Sequence, residues 1–571
     1  GSDLPSHPLV GLLAILSFFT GGNPGLLVVL LSALGPWFAA LSLHLSLRVV
    51  LTHAPSRVWL AGLYGLSPTV LVAAANGDVA VLLAAILLPA SFVMVRAAFT
   101  NWRAAAGSSL VLALLASIWP AVWLIAIVLF AILLLRARPT NDVIYRLAAV
   151  IVWSITIMMP WSLEVMKSPI RFFTQFGVSA EDIAPAWQIL FGADRANAAT
   201  PWWWGIGFVL VAMVVLIEER THRLSRFAWV LIGASLAVAA VAQAIATFLG
   251  GPTSLPALSI PLLIINAGLV LSLASSVSTV RTRLRRSNFG WRQVSTALAV
   301  IFISLSPIAG FATTLEIGSN ATGMHREAEV TSTLLRGFTE DIKLRTLLLS
   351  TTNTGAIDAS ILDGRAENFG DAAVISDSLR QKIGSDIAQW LTSVNPDEVS
   401  PLRKYAIGYI AVPSGDQVAR KVSTMGNLTR LINSRSSNLL NVWRVNEVLS
   451  RAYINDGLTE DSIFLDLERD GDAVRVRGVV NVVDEKAIIH LAERATGDWA
   501  ASVGGVKLEQ TDNGLLSWKV PANTSGELLI EHDAGSRYGW LMLASFAFLS
   551  IAVVLAPRRK NSYRDEWLEQ A

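Results

Sequence analysis

The sequence predicts a polytopic α-helical membrane domain of about eleven spans, with a water-soluble α/β plus β-sandwich domain on the outer side of the membrane. Three observations lead there. Of 571 residues, 53% are hydrophobic and 15% charged, with a mean hydropathy of +0.52. A soluble protein carries about 25% charge. The charge is also unevenly placed: Pro8 to Leu315 is made of long apolar runs, whereas Glu316 to Tyr538 has the composition of a soluble domain. Finally, Lys and Arg in the short connections fall almost wholly on one side.

A helix needs about 20 apolar residues to cross a bilayer. That rule places spans near 24–50, 57–75, 79–98, 143–163, 202–217, 227–248, 258–280, 292–314 and 539–556. The run 104–136 contains Trp119-Pro120 and reads as two short helices meeting at that turn, because proline breaks the helical ladder. Residues 8–20 are too short to span and read as a half-inserted or re-entrant helix.

With the N-terminus outside, one side collects arginines from Arg48 and Arg57 through Arg136 and Arg146 to Arg281, Arg286 and Arg292. The other side holds only Lys167, Arg171 and Arg195. Short cytoplasmic loops are rich in Lys and Arg, so the basic side is read as cytoplasmic in a multi-pass plasma-membrane protein. The expected divisions are 1–315 for the membrane domain, 316–455 for an extracytoplasmic α/β part, 456–538 for a β-sandwich, and 539–571 for a last span and cytoplasmic tail.

Within the soluble part, Arg345–Ser350, Ala406–Val412 and Leu440–Val445 are buried-strand candidates separated by helix-length segments. Ala473–Val483 alternates, and Gly504-Gly505, Asp512-Asn513-Gly514 and Ser525-Gly526 mark turns. A small antiparallel sandwich follows.

The net charge of +2 gives no reason to expect nucleic acid, and the basic clusters match loops facing lipid headgroups. There is no cysteine, which excludes disulfides, thiolate catalysis and Cys-based metal sites. No Walker loop, GxGxxG, HExxH or GxSxG occurs. No cofactor is implied, and a divalent metal is left open. The chain opens Gly1-Ser2-Asp3, and the expectation is a piece whose natural N-terminal part lies upstream.

Chemistry is sought on the outward-facing pieces. Their carboxylates are Asp3, Asp78, Glu164, Glu181, Asp182 and Asp194. A carboxylate at the membrane boundary can serve as general base for a sugar hydroxyl; for each one, a solvated loop residue is the ordinary alternative. Asp78 is the first candidate because it sits in a tight turn between spans, although Asn-Gly-Asp is also ordinary turn chemistry. Asp3 is the second. Lys167, Arg171 and Arg195 suit a lipid-linked phosphate or simple headgroup anchoring. Glu164 and Asp194 stand in the same loop, 164–201, which includes an amphipathic piece around Ile170–Phe176 suited to the interface plane. Trp499 and Trp518 are either sugar-stacking platforms or core aromatics.

Tyr64-Gly65-Leu66-Ser67-Pro68, Ala75-Asn76-Gly77-Asp78, Leu87-Leu88-Pro89, and Met159-Pro160-Trp161-Ser162-Leu163 with Ser168-Pro169 resemble large actinobacterial membrane glycosyltransferases. So do the outer order RTLLLS, KYAIGYIAV, NVWRV and the closing Glu493, Trp499-Ala500, Gly504-Gly505, Trp518, Pro521 and Gly526. The resemblance covers nearly the whole chain, and its motifs are loose. It implies a membrane region of the GT-C type that uses polyprenyl-phosphate-linked sugar, with a cell-wall glycan as acceptor. In that family a cytoplasmic family 2 glycosyltransferase domain with a DxD donor site precedes the membrane region, and this chain lacks it. The leading expectation is therefore the membrane and outer portion of a cell-envelope glycosyltransferase. The alternative is a non-catalytic scaffold or export component with an outer glycan-binding domain. A secondary transporter is a third class, disfavoured because the spans carry almost no ionisable residues and show no internal repeat.

Overall fold

The computed structural model describes residues 7–137, 139–167, 169–173, 205–217, 223–249, 258–286 and 291–319, then 344–555 with short breaks. The chain divides into two compact units: His7–Met324 with Trp540–Ala571, and His325–Gly539.

The first unit is helical: α1 Pro8–Phe18, α2 Pro24–Leu47, α3 Ala54–Gly65, α4 Pro68–Asn76, α5 Val79–Ala98, α6 Trp102–Ile118, α7 Val122–Ala137, α8 Asn141–Thr156 and α9 Trp161–Lys167. A 3-10 turn, Pro169–Phe172, follows, then α10 Ile206–Ile217, α11 Arg223–Leu249, α12 Ser259–Arg286 and α13 Trp291–Ser319. Among the described residues, Pro24–Val49, Val79–Ala98, Ser225–Ala242 and Ser259–Val277 are long and apolar enough to cross a membrane. Counting each bent pair as one span raises the number from 4 to 6. On α2, Trp37, Phe38 and Leu41 face outward from the protein. An exposed apolar face of that kind needs lipid against it, and the chain is a membrane protein.

Two runs read as straight spans are bent. The run 57–75 is α3 and α4, which meet at 50°. Ser67 precedes Pro68, and proline at the first turn starts a new helix rather than continuing the old one. The run 143–163 is α8 and α9, bent by 97° across a turn that ends in Pro160. The break at Trp119-Pro120 falls between α6 and α7, where proline placed it.

Polar groups inside this unit are matched across helices. Pro89 lies within α5 and has no N–H, so the carbonyl of Ala85 loses its intrahelical donor. The hydroxyl of Tyr64, fully buried on α3, donates to that carbonyl at 3.0 Å. Nearby, the Ser42 hydroxyl donates to the Ile86 carbonyl at 2.7 Å. Ser225 and Ser272 join α11 to α12 at 3.0 Å, and the Ser235 hydroxyl donates to Pro261 O at 3.1 Å. Such contacts and small residues hold helices together where lipid provides no hydrophobic drive.

The second unit contains three five-stranded sheets. The first has order β2-β1-β3-β5-β4, from β1 Arg345–Thr351, β2 Ile357–Leu362, β3 Ile407–Pro413, β4 Leu428–Ile432 and β5 Leu440–Val445. Only β1 and β3 pair in parallel. Helices α14 Asp377–Thr392, α15 Ser400–Lys404 and α16 Gln417–Val422 belong to this α/β part, whose core includes Leu347, Ile387, Trp390, Ile410, Val418 and Trp443. Burial pushes the Asp386 carboxyl up, but hydrogen bonds from Lys404 Nζ and Tyr405 Oη, both at 2.6 Å, outweigh it and hold it below the usual range. Burial, then the same contact, pushes the Tyr405 hydroxyl up.

The other two sheets are antiparallel throughout: β13-β14-β10-β6-β7 and β12-β11-β15-β9-β8. Their strands are β6 Ala452–Asn455, β7 Glu460–Ile463, β8 Asp466–Asp470, β9 Ala473–Asn481, β10 Ile488–Arg494, β11 Trp499–Val503, β12 Val506–Lys507, β13 Glu509–Asp512, β14 Leu515–Lys519 and β15 Ser525–His532. Ile489, Leu491, Leu516 and Trp518 of one sheet share a core with Ala501, Val503, Leu528 and Ile530 of the other. That is a β-sandwich. The buried Arg345 guanidinium donates to Ala492 O on β10, tying β1 to the sandwich. A last helix, α17 Gly535–Leu555, closes the described chain.

Candidate functional site

The site is built at one end of the helix bundle. Helices α5 and α6 form a hairpin through residues 99–101, so Asp78, just before α5, and Trp119, just after α6, lie at the same end. Helix α2 runs parallel to α5, because Gly35 packs on Leu82 and Ser42 on Ile86. The start of α2 therefore shares that end. Helix α7 leaves from it, and α8 returns toward it and delivers α9.

Aromatic packing seals this end. Trp119 and Trp123 are buried, Trp119 Nε1 donates to Phe173 O at 3.3 Å, and Trp123 Nε1 donates to Ser154 Oγ at 3.1 Å. The Trp123 and Trp161 rings lie 6.2 Å apart, and His7 meets the edge of Trp161 at 4.9 Å. His7 also caps α1 through its Nδ1, which accepts from Leu9 N at 3.3 Å. His7, the Trp119-Pro120 turn, Trp161 of α9 and Phe173 thus meet, and His7 and Trp123 supply packing that sequence reasoning did not single out. No spacing rule would have found these contacts, because each joins residues far apart in the chain.

The named site residues fall as follows. Asp78 is half-buried and caps α5: its Oδ1 accepts from Val81 N at 3.2 Å. The preceding Gly77 takes φ +68°, the left-handed value that ends α4 and turns the chain into α5. Glu164 and Lys167 pair with each other at 2.6 Å on α9, with Lys167 70% exposed. Arg171 is half-buried in the 3-10 turn directly after them. Asp3, Glu181, Asp182, Asp194 and Arg195 lie outside the described residues. The piece around Ile170–Phe176, read as amphipathic and able to lie in the interface plane, is a 3-10 turn through Phe172, and the carbonyl of the buried Phe173 accepts from Trp119 Nε1. Trp499 is half-buried at the edge of the sandwich core. Trp518 is 1% exposed and sits in that core, so its ring has no face to offer a sugar. Its neighbours Leu516 and Val520 face the same way, as alternation along a strand requires. Among the described residues, no group of three or more His, Asp or Glu side chains is assembled to hold a metal.

No family model and no curated protein matches the chain. Three solved structures of the arabinofuranosyltransferase AftD from mycobacteria are remotely similar to the chain. The first has a TM-score of 0.47 and 12% identity, covering 92% of this chain and 52% of that one. Two states of a point mutant of the same enzyme give TM-scores of 0.47 and 0.45 at 12% and 13% identity. The chain spans about half the length of those proteins. A likeness this remote carries no conclusion about activity.

Proposed function

We propose that this chain is the membrane and outer portion of a cell-envelope glycosyltransferase that takes polyprenyl-phosphate-linked sugar at the outer leaflet. What supports the reading is the bundle end just described: the α5–α6 hairpin and the return of α8 bring the half-buried carboxylate of Asp78, before α5, toward the same end as α9, which carries Lys167, with Arg171 in the turn after it. In this reading the bundle end faces the outer leaflet, and the unit His325–Gly539 is extracytoplasmic and holds the glycan acceptor.

The chemistry asked of these residues is a direct displacement. Asp78 Oδ1 is used by the α5 cap, so its second oxygen takes the proton of the acceptor hydroxyl. That hydroxyl attacks the anomeric carbon, and the bond to the polyprenyl phosphate breaks. Lys167 and Arg171 stabilise the departing phosphate. Asp3 is the alternative base, and Arg195 an additional phosphate ligand. Glu164 holds Lys167 in place through their ion pair, and Asp194 is a further candidate for binding substrate.

The test uses Asp78→Asn in the full-length protein. Asn caps a helix about as well as Asp, so the substitution removes basicity and keeps the fold. Loss of a positioned base costs about 10²–10⁴-fold in rate. Glycan transfer in membranes near the wild-type rate for both Asp78→Asn and Asp3→Asn moves the base elsewhere.

One observation favours a second reading. Asp78 and the Glu164–Lys167 pair already have complete local structural duties. A scaffold or export component with an outer glycan-binding domain needs nothing more of them. Full activity in both Asn variants, with loss only on mutation of an upstream transferase domain, selects that reading.

A further inference from the structure

The break between α3 and α4 lies inside the membrane unit. Helix α4 has 9 residues from Pro68 to Asn76, and α3 has 12 on the other side of the break. At about 1.5 Å per residue the break is well inside the bilayer from either end. A helix start leaves its first N–H groups without intrahelical partners. In α4 the first residue is proline and has no N–H, and Leu71 N is satisfied by Ser67 O at 3.0 Å. That leaves the N–H groups of Thr69 and Val70.

The residue that ordinarily caps them is Ser67. Its side chain makes no cap hydrogen bond. Ser67 is fully buried, and its Oγ has no hydrogen-bond partner among the described residues. Next to it, Asn266 of α12 donates from Nδ2 to Thr69 Oγ1 at 3.1 Å and is 5% exposed. Two backbone donors, a buried hydroxyl and an asparagine carboxamide therefore converge at a bend in apolar surroundings: Val70 and Leu71 on α4 and Leu263 on α12 are buried. Buried polar groups are as a rule hydrogen-bonded, because leaving one unpaired in apolar surroundings is costly. No charged side chain is part of the cluster.

We infer that the niche formed by Ser67, the Thr69 and Val70 N–H groups and Asn266 binds one ordered water molecule at the α3–α4 break. The water accepts from the two N–H groups and donates to Asn266 Oδ1 and Ser67 Oγ. Four polar partners match what buried waters typically hold. The water replaces the missing side-chain cap, and it allows the span to keep its 50° bend without stranded donors. Helix α4 leads from this niche to Gly77 and Asp78, so the niche sets the base of the segment that carries that turn.

The experiment is a density map of the full chain in lipid nanodiscs, at a resolution that shows ordered water. The expected result is a single compact peak about 2.7–3.2 Å from the Thr69 and Val70 nitrogens, retained in Ser67→Ala. Absence of the peak, with Ser67 Oγ turned onto Val70 N, shows an ordinary cap and overturns the inference. A peak with bromide anomalous signal after anion exchange marks an anion site and also overturns it. A second measurement covers poor maps. Thermal midpoints of Ser67→Ala, Asn266→Leu and the double variant are non-additive if the two side chains share a water, and additive if they do not.

Discussion

Replacing Tyr64 by Phe removes one oxygen and leaves the ring in place. The hydroxyl is fully buried and donates to Ala85 O, the carbonyl that Pro89 deprives of its helical donor. Removing it strands that carbonyl, and a stranded buried acceptor costs about 1–3 kcal/mol. Interhelical hydrogen bonds in membranes measured by double-mutant cycles average about 0.6 and reach about 1.7 kcal/mol, because unfolded segments in lipid find other partners. Ala85 has no substitute donor on its own helix, which places this bond at the upper end, about 1–2 kcal/mol. In Pro89→Ala, residue 89 regains an N–H and the α5 ladder can close on Ala85. Tyr64→Phe is then expected to cost less than about 0.5 kcal/mol in that background. The assay is a double-mutant cycle on reversible unfolding in detergent–lipid micelles, where the separate effect of Pro89→Ala cancels. An equal cost of Tyr64→Phe in both backgrounds, or no cost in the wild type, refutes the reasoning.

Four further outcomes are expected. Asp78→Ala removes both the base and the α5 cap, so it should lower stability by about 1 kcal/mol as well as abolish transfer, whereas Asp78→Asn should affect transfer alone; unfolding midpoints beside rates separate the two. Ala406 is buried at φ 55°, a left-handed conformation that costs an L-residue about 1–2 kcal/mol, so Ala406→Gly should hold or raise the thermal midpoint of the protein and Ala406→Val should lower it. The Asp386 carboxyl is held below its ordinary value, so its contribution is present above about pH 4 and lost as pH falls through the lowered folded value; the stability gap between wild type and Asp386→Asn should narrow in acid, and a gap that widens contradicts the sign. Because the chain has no cysteine, single cysteines at Ser287 and Ser436 report orientation: an impermeant reagent on intact cells should label Ser436→Cys and leave Ser287→Cys unlabelled, and the reverse pattern inverts the proposed topology.

Much of the secondary structure was legible in the sequence. In lipid the backbone polar groups must be satisfied inside the protein, which makes a span a nearly continuous helix, so it leaves a long apolar run that no packing detail can hide. The β1, β3 and β5 strands were readable for a related reason, as short apolar runs between turn signals. Proline was read correctly at Pro120 and missed at Pro68. A proline opening a helix and one interrupting a span look alike in a continuous apolar run, and only the angle between α3 and α4 tells them apart. Trp518 shows another limit. Alternation divides a strand into two faces, but which face meets the second sheet depends on the packing of the whole sandwich.

The site was legible only as separate outward pieces. The sequence shows that Asp78 sits in a turn. The cap it makes is local, but its place at the same end of the bundle as Trp119 and α9 comes from the pairing of α5 with α6 and the return of α8. His7 on Trp161, Trp119 on Phe173, Tyr64 on Ala85 and Asn266 on Thr69 join residues from 21 to 197 positions apart. Hydropathy and turn chemistry act over a few residues, so the sequence alone determined that the chain holds apolar membrane helices and a separate folded β-rich unit. Which polar group answers an orphaned carbonyl such as that of Ala85 was decided by tertiary packing, because its own helix offers no donor there and the partner comes from another helix.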